Sequence, residues 1–369
     1  MRYEISWWQF AMMLICSKLT LLTTYAIVLV GQLPPVRDSW LAAIIASAIA
    51  LPMIFAVYAL SLRFHGKTIS EINPIVLGRF LGTVVNVILV AFYVHWAGIT
   101  IRQFSFFLDS AVYLRTPEVV FGILFIVVAL VATREGIEFI GRTAEIAGIV
   151  ILVGMSSYYL LSIPDIDIGI IRPFLGEGWS RLWQQSLTPI ALYGEGVWIA
   201  MLAIPHLSQV KDAPKAIWFG TGVSTALGII SAFLLIGLFG PELIARLAFP
   251  SFFAARVVAL GNFFERIEWL MLIMWIGAMG VKISLLVFGA TFGTSRIFRK
   301  YPIRHLAVVI VLLIFVTSRF TNETLSEVFD FFSPAIYLLH ALPFQLAPAV
   351  ILVIAWIRRL KGSGLKNEA

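Results

Sequence analysis

Cysteine and charge are both scarce in this sequence. Cys16 is the one cysteine among 369 residues, which excludes disulfide bonds within the chain and any cysteine-rich metal site. Only 13% of the residues are charged, against about a quarter in an average soluble domain, whereas 60% are hydrophobic. A soluble fold cannot hide that much apolar surface from water, so the composition predicts a membrane protein.

The chain also lacks the motifs of the common enzyme classes. It contains no GxxxxGK[ST] phosphate-binding loop, no nucleophile elbow, and no cluster of histidines or cysteines with metal-ligand spacing. We therefore expect no catalytic residues, no cofactor and no bound metal.

Long apolar runs dominate what is present. Backbone in lipid must satisfy its own hydrogen bonds, so the choice lies between helices and a closed barrel, and these runs are too long for barrel strands. The sequence predicts an all-α integral membrane protein with about ten transmembrane helices in one membrane domain over residues 1–369. The clearest runs are 39–62, 80–101, 146–164, 216–241 and 331–357. The less regular runs are 5–31, 119–133, 182–204, 269–293 and 304–318.

The distribution of lysine and arginine predicts the orientation. With the N-terminus inside, the inner connections and tails hold 16 of these residues and the outer connections hold 8. By the positive-inside rule, both termini lie in the cytoplasm, including the tail at 359–369. The basic residues stand in short loops, which is a topology signal and does not indicate a nucleic-acid partner. Among the outer connections, 163–181 is expected to be an ordered surface loop and 242–264 to contain a helix at the membrane interface.

Charges interrupt the first and the sixth predicted spans. Lys18 lies in the first span and Glu195 in the sixth, which suggests a 5+5 inverted repeat over about 5–163 and 182–358. In transporters built this way, helices at matching positions unwind near the membrane midplane and bind a ligand or an ion. We therefore predict that helices 1 and 6 are broken.

The strongest local signal for a ligand site is Tyr193-Gly194-Glu195-Gly196. Glycine permits unwinding and exposure of backbone carbonyls. An ionisable group in hydrocarbon costs roughly 2.5–3.5 kcal/mol, so Glu195 must face a cavity or a partner. The alternative is a pair of packing glycines around an acid that faces a structural partner.

The first span supplies the expected partner of Glu195. Its polar stretch contains Ser17, Lys18 and Thr20 but no glycine, and Lys18 lies at about the same depth as Glu195. We predict that these two residues lie close together, as an ion pair that lines a central cavity, with Ser17 and Thr20 beside them.

A second pair is predicted on the inner side of the membrane. Lys282 in span eight and Glu145 at the start of span five are candidates for a site in which the lysine replaces a coupling cation. The alternative is that Lys282 extends to the inner headgroups. Further ligand-site candidates are Tyr93 and His95 on span three and Trp275 on span eight, although His95 and Trp275 fit ordinary helix packing equally well.

Three segments resemble a known family. The stretch FPSFFAARVVALGNFFERIE at 249–268 resembles the signature of the endospore germination permeases, which are the B subunits of bacterial germinant receptors and relatives of the amino acid, polyamine and organocation transporters. Gly136-Ile137-Glu138 with Arg142-Thr143-Ala144-Glu145, and Arg172-Pro173 followed by Gly176-Glu177-Gly178, also fit. Together with the span count, the resemblance covers essentially the whole chain.

The resemblance implies a receptor subunit in the spore inner membrane that senses a small nutrient, commonly an amino acid. It would act with a larger A subunit and a lipoprotein C subunit to trigger release of ions and dipicolinate. The ligand would lie near Ser17, Lys18, Tyr193, Gly194 and Glu195. Because the first span lacks the glycine-rich break of amino acid transporters, Lys18 in place of helix N-termini would bind the ligand carboxylate. A secondary transporter of amino acids or organic cations, and a structural partner without a ligand, remain the alternatives.

Overall fold

The computed structural model describes residues 4–24, 37–171, 175–257, 268–321 and 324–362, with the backbone alone for 19–24, 325 and 329. These parts of the chain are helical almost throughout, and an isolated β-bridge joins Ile5 to Leu207. The α-helices are α1 (Trp7–Thr24), α2 (Ser39–Arg63), α3 (Ile69–Leu77), α4 (Arg79–Phe107), α5 (Glu118–Glu135), α6 (Ile137–Ser162), α7 (Ile168–Ile171), α8 (Trp179–Gly194), α9 (Gly196–Ala203), α10 (Ala213–Ile244), α11 (Pro250–Val257), α12 (Glu268–Ile297), α13 (Ile303–Phe320), α14 (Leu325–Phe331) and α15 (Pro334–Ile357).

Eight helical segments of the described residues are long and apolar enough to cross a membrane. They contain α2, α4, α6, α8 with α9, α10, α12, α13 and α15. α1 and α5, each of 18 residues, lie at the two remaining positions where the sequence predicts a span. The all-helical membrane class is therefore confirmed, whereas ten crossings stay a prediction.

A glycine marks the boundary between α5 and α6. Gly136 separates α5 from α6 with φ 92°, a backbone conformation that residues with a Cβ rarely adopt. α6 begins there, at Ile137, nine residues before the apolar run that predicted it, and Glu138 pairs with Arg142 one turn later at 2.6 Å. The helix thus extends into a charged segment that hydropathy alone excludes from the span.

The α8 and α9 pair runs through the middle of the bundle. In its most apolar window 94% of the residues are buried inside the protein, against 28% for α15. α8 packs against α2 and α15, while α1 packs against α6, α10 and α12. The outer surface presents large apolar side chains such as Phe80 and Leu339, which are 79% and 73% exposed and face lipid in a membrane protein.

The helix breaks differ from the prediction. α1 is continuous from Trp7 to Thr24 and passes through Lys18 without interruption, because the segment 16–20 contains no glycine to favour another backbone conformation. The sixth span is interrupted at Glu195 alone, which keeps helical dihedrals of φ −56° and ψ −25°. The interruption is a one-residue irregularity between α8 and α9, and the described backbone shows no longer unwound segment there.

Both long connections contain helical turns where the structure describes them. The segment 163–181 forms a 3₁₀ turn at Ile163–Asp165 followed by α7. In 242–264, α10 continues to Ile244 and α11 follows. Residues 258–267, which carry much of the signature stretch, and 172–174 lie outside the described residues, as does 363–369 of the predicted tail. The repeat boundaries stay predictions.

Candidate ligand site

The centre of the bundle holds a buried ion pair. Glu195, at the junction of α8 and α9, is 1% exposed. Its carboxylate lies against the ammonium of Lys282 on α12, whose Nζ is 3.0 Å from Oε1 and 2.9 Å from Oε2. Both charges are removed from water, so each depends on the other for compensation.

Two aromatic side chains complete the surroundings of the same carboxylate. Trp96 on α4 donates its indole N–H to Glu195 Oε1 at 3.1 Å, and Tyr337 on α15 donates its hydroxyl to the same oxygen at 3.1 Å. Oε2 accepts no hydrogen bond of good geometry, although Lys282 lies beside it. One carboxylate therefore joins α4, α12 and α15 to the α8–α9 junction.

The two glycines beside Glu195 allow neighbouring side chains to approach the helix. A Cβ on Gly194 would lie 2.2 Å from Oε1 of Gln345 on α15, which is far inside contact distance. A Cβ on Gly196 would lie 2.6 Å from Ile54 on α2 and 3.3 Å from Lys18 Cε. The glycines thus serve close packing at an almost regular helix, which is the alternative interpretation of this motif.

Lys18 is buried beside this cluster without a carboxylate partner. It is 1% exposed, its Nζ donates to Thr221 Oγ1 on α10 at 3.2 Å, and it lies 5.3 Å from the centroid of the Tyr193 ring. Among the described residues the salt bridge of Glu195 is with Lys282, and Lys18 lies beside the Glu195 junction without a direct salt bridge to that carboxylate. Sequence gives the depth of a residue in the membrane but not the side of the helix that faces a given neighbour.

The predicted pairing of Lys282 with Glu145 is wrong. Lys282 is 0% exposed and reaches Glu195, so its ammonium does not extend to the headgroups either. Glu145 is half-buried and accepts a 3.4 Å hydrogen bond from Gln9 on α1. The physical reason is that the stem of Lys282 points into the bundle, where the one acid at mid-depth among the described residues is Glu195.

The net charge of the buried cluster favours an anion. With both ammonium groups protonated, Lys18 and Lys282 would place two positive charges against the single negative charge of Glu195, and Coulomb interactions are strong where water is excluded. The other buried acids of the described chain, Asp38 and Glu268, stand at the starts of α2 and α12. A carboxylate close to Lys18 would neutralise the cluster and supply the ammonium with a charged acceptor.

The other ligand-site residues predicted from the sequence lie in different parts of the bundle. Ser17 Oγ donates to Leu14 O within α1, so its hydroxyl is used locally. Tyr93 packs edge-on against Trp198 and donates a long hydrogen bond to its carbonyl at 3.4 Å. Trp275 packs against Phe107 and Phe252. The side chain of Thr20 lies outside the described residues.

His95 does not contact the charged cluster in the described structure. It is half-buried and lies with its ring centroid 5.9 Å from that of His340. The two histidines line a cavity of about 230 Å³ between α4 and α15 together with Phe92 and Phe344. The neighbouring residue Trp96 points to Glu195 instead, because consecutive helical residues differ by about 100° in direction.

Sequence reasoning missed three residues of the cluster: Trp96, Tyr337 and Thr221. Trp96 and Tyr337 belong to residue types that are common at the membrane interfaces, so their types alone offered no reason to place them in the centre of the bundle. For Trp96 a signal existed, since Tyr93 and Trp96 share a helix face at i and i+3. Thr221 offered no signal beyond being polar within an apolar run. No group of three or more potential metal-ligating side chains occurs in the described parts of the chain.

Comparison with known proteins gives one family. The family model for spore germination protein, the spore permease, matches residues 4–326. Spore germination protein KB of Bacillus subtilis (strain 168) is 25% identical over 340 residues, covering 90% of this chain and 91% of that protein. Spore germination protein XB of Bacillus anthracis is 23% identical over 340 residues, covering 88% of this chain and 90% of that protein.

Solved transporters share the fold. The closed, bromovinylhydantoin-bound structure of Mhp1, a nucleobase-cation-symport-1 family transporter, has a TM-score of 0.68 at 15% identity and covers 97% of this chain and 79% of that one. MhsT in complex with L-phenylalanine has a TM-score of 0.69 at 15% identity and covers 98% of this chain and 91% of that one. The fold is therefore that of transporters built from inverted repeats.

Proposed function

Because the chain belongs to the spore germination permease family, we propose that it is the membrane subunit of a germinant receptor that recognises an amino acid in the centre of the bundle and triggers germination. Its family and its fold make it a germination-related multi-pass membrane protein with a transporter fold.

The proposal rests on the buried position of Lys18, which has no carboxylate partner among the described residues. A buried ammonium whose hydrogen-bond acceptor is one neutral hydroxyl is poorly compensated, whereas the nearby Glu195 is already held by Lys282, Trp96 and Tyr337. The carboxylate of an amino acid would supply the missing counter-charge at Lys18. Tyr193, whose ring lies 5.3 Å from Lys18 Nζ, is placed to line the same position.

Glu195 has a different role in this proposal. Its carboxylate is surrounded by donors from three helices, so it positions Lys282, Trp96 and Tyr337. Its Oε2, which faces Lys282 Nζ at 2.9 Å and takes no hydrogen bond from the two aromatic side chains, is the oxygen that would also accept the amino group of the ligand. Two opposite charges at the two ends of one site suit a zwitterion. Gly194 and Gly196 let Gln345 of α15 and Ile54 of α2 pack closely against the helix on either side of Glu195.

The partners and the location follow from the family and belong to the proposal. We infer that the chain acts in the spore inner membrane with an A subunit and a lipoprotein C subunit, with both of its termini in the cytoplasm. Binding in the centre of the bundle would shift the packing of α8–α9 against α4, α12 and α15, and such a shift is the signal that the partners would receive.

Germination of spores that carry variants tests the proposal. Spores lacking this subunit are complemented with the wild-type chain, Lys18→Met or the control Lys215→Met, and are exposed to each of the twenty amino acids while dipicolinate release is measured. We expect Lys18→Met to abolish the response to the amino acid that triggers wild-type spores. Lys215 is exposed on α10, so its replacement is expected to leave the response unchanged. An unchanged response in Lys18→Met at normal protein levels would contradict the proposal.

The second candidate function is secondary transport of amino acids or organic cations, and it is favoured by the likeness to MhsT and Mhp1. Uptake of the labelled germinant into proteoliposomes that contain this chain alone distinguishes the two functions. Accumulation above the level of empty liposomes supports transport. Binding without accumulation supports the receptor. A structural partner without a ligand would show neither, and its loss would lower the amounts of the A and C subunits.

A further inference from the structure

A polar cavity lies away from the centre of the bundle, at the end where α2 and α8 begin and α10 ends. Its volume is about 220 Å³. The residues that line this acidic cavity are Arg37, Asp38, Gly176, Glu177, Pro241 and Glu242.

Asp38 is the unusual member of the cavity wall. It precedes α2 at the N-cap position, where an aspartate normally accepts a hydrogen bond from a backbone N–H of the first turn. Here the side chain makes no such bond, although the residue is only 3% exposed, and its Oδ1 has no hydrogen-bond partner. A buried carboxylate oxygen without a donor is costly, so its position in a cavity wall indicates a cation that binds there.

The backbone brings a second carboxylate to the same cavity. Gly240 adopts φ 67° near the end of α10, and Pro241 follows it, so the chain turns before Glu242. A Cβ on Gly240 would lie 3.4 Å from Glu242 Oε2, which shows that the carboxylate folds back over this turn. The turn therefore places Glu242 on the cavity wall with Asp38.

The charge balance of the wall is negative. Three carboxylates and one guanidinium line the cavity. Arg181 lies 3.9 Å from Glu177 Oε2 and offsets part of that charge, while Glu177 itself is 47% exposed. With Glu177 counted as neutralised, Asp38 and Glu242 still exceed the single charge of Arg37.

We propose that this acidic cavity binds a small organic cation with a primary ammonium group, with Asp38 as its main acceptor. The cavity of about 220 Å³ greatly exceeds the space for one water or ion, which is on the order of 10–15 Å³ on a comparable measure. Within the described residues no three potential metal-ligating side chains are grouped there. An ammonium group supplies N–H donors that match the unpartnered Oδ1.

Thermal unfolding of the purified full chain in lipid nanodiscs, followed by tryptophan fluorescence, tests the site. The probe is n-propylammonium chloride, and the comparison salts at equal ionic strength are sodium chloride and tetramethylammonium chloride, whose cation has no N–H donor. We expect n-propylammonium to raise the Tm of the wild-type chain in a saturable manner, and the comparison salts to give no saturable rise. Asp38→Asn, which keeps the shape and the N-cap preference, should raise the half-saturating concentration at least about tenfold.

Matched variants separate this site from other acids and from the centre of the bundle. Glu242→Gln should weaken the response less than Asp38→Asn, and Asp165→Asn, which removes an exposed acid outside the cavity wall, should leave it unchanged. An Asp38→Asn chain that titrates like the wild type would overturn the proposal. So would a Tm rise with tetramethylammonium equal to that with n-propylammonium, no rise at all, or a response lost in Glu195→Gln but kept in Asp38→Asn.

Discussion

Lys282 and Glu195 form an ion pair between α12 and the α8–α9 junction, with Nζ to oxygen distances of 2.9 and 3.0 Å and side chains exposed by 0% and 1%. Trp96 and Tyr337 donate to the same carboxylate, so the pair belongs to a network that joins α4, α12 and α15 to the α8–α9 junction. Since the centre of the bundle excludes water, this network depends on every charge having its partner.

Breaking the pair from one side should destabilise the protein strongly. Lys282→Met or Glu195→Gln leaves one buried charge without its partner, and we expect a loss of about 3–5 kcal/mol in each. The double variant should lose less than the sum of the two, because it removes both charges of the pair together. Unfolding midpoints of the purified variants in detergent test this.

The matched control is an exposed pair. Lys215 lies 2.8 Å from Asp212 with a side chain that is 66% exposed, and Lys215→Met should change stability by less than about 1 kcal/mol. Equal losses in Lys282→Met and Lys215→Met would show that the central pair is not a compensated buried charge.

Lys18→Met should abolish the germination response without lowering the stability of the protein. Lys18 has no carboxylate partner among the described residues, so replacing it with an apolar side chain of similar length should leave the Tm unchanged or raise it. The germination response should be lost. Thr221→Val removes the neutral acceptor alone and should shift the effective germinant concentration by less than about tenfold. A large drop in the Tm of Lys18→Met would instead indicate a structural lysine.

The glycines beside Glu195 should not tolerate a methyl group. Gly194→Ala places a Cβ 2.2 Å from Gln345 Oε1, and the overpacking should cost about 1–3 kcal/mol. Adding Gln345→Ala should restore part of that loss. On α10, nothing lies within 4 Å of a Cβ on Gly222, so Gly222→Ala should be neutral or stabilising. Thermal midpoints compare the four proteins, and a neutral Gly194→Ala would contradict the close packing with α15.

Much of the fold was predictable from the chain because the membrane restricts the choices. Long apolar runs placed a helix at each predicted position, and the charge within 182–204 correctly indicated a buried acid, Glu195. Depth follows from counting residues along a helix. The contacts of Lys18 and Lys282 were not predictable, since they depend on the rotation of α1 and α12 about their axes, which apolar residues on all sides leave undetermined.

The described part of the first helix is unbroken at 16–20, contrary to the prediction, and this has a related cause. Polar residues at 16–20 suggested unwinding, but the segment contains no glycine and its backbone remains helical. Ser17 donates to a carbonyl within its own helix and Lys18 donates to Thr221 on α10, so neither side chain needs an unwound backbone to find an acceptor. The sequence of one helix does not show which hydrogen-bond acceptors the neighbouring helices provide. Trp96 and Tyr337 were missed for the same reason.

Binding of the amino acid should not require sodium. A fixed ammonium, that of Lys282, lies in the buried centre of the bundle and already compensates Glu195. Replacing sodium with N-methylglucamine should therefore leave the germinant dose response of wild-type spores unchanged. A response that disappears without sodium and returns with it would contradict this role of Lys282.

Recognition of the ligand carboxylate by Lys18 is most directly tested by comparing the germinant amino acid with its carboxamide. Binding of both to the purified wild-type chain and to Lys18→Met is measured by calorimetry in nanodiscs. The account predicts that the wild-type chain binds the amino acid at least about tenfold more tightly than the carboxamide, and that Lys18→Met removes this preference. Equal affinity of the wild-type chain for both compounds, or an undiminished preference in Lys18→Met, would contradict it.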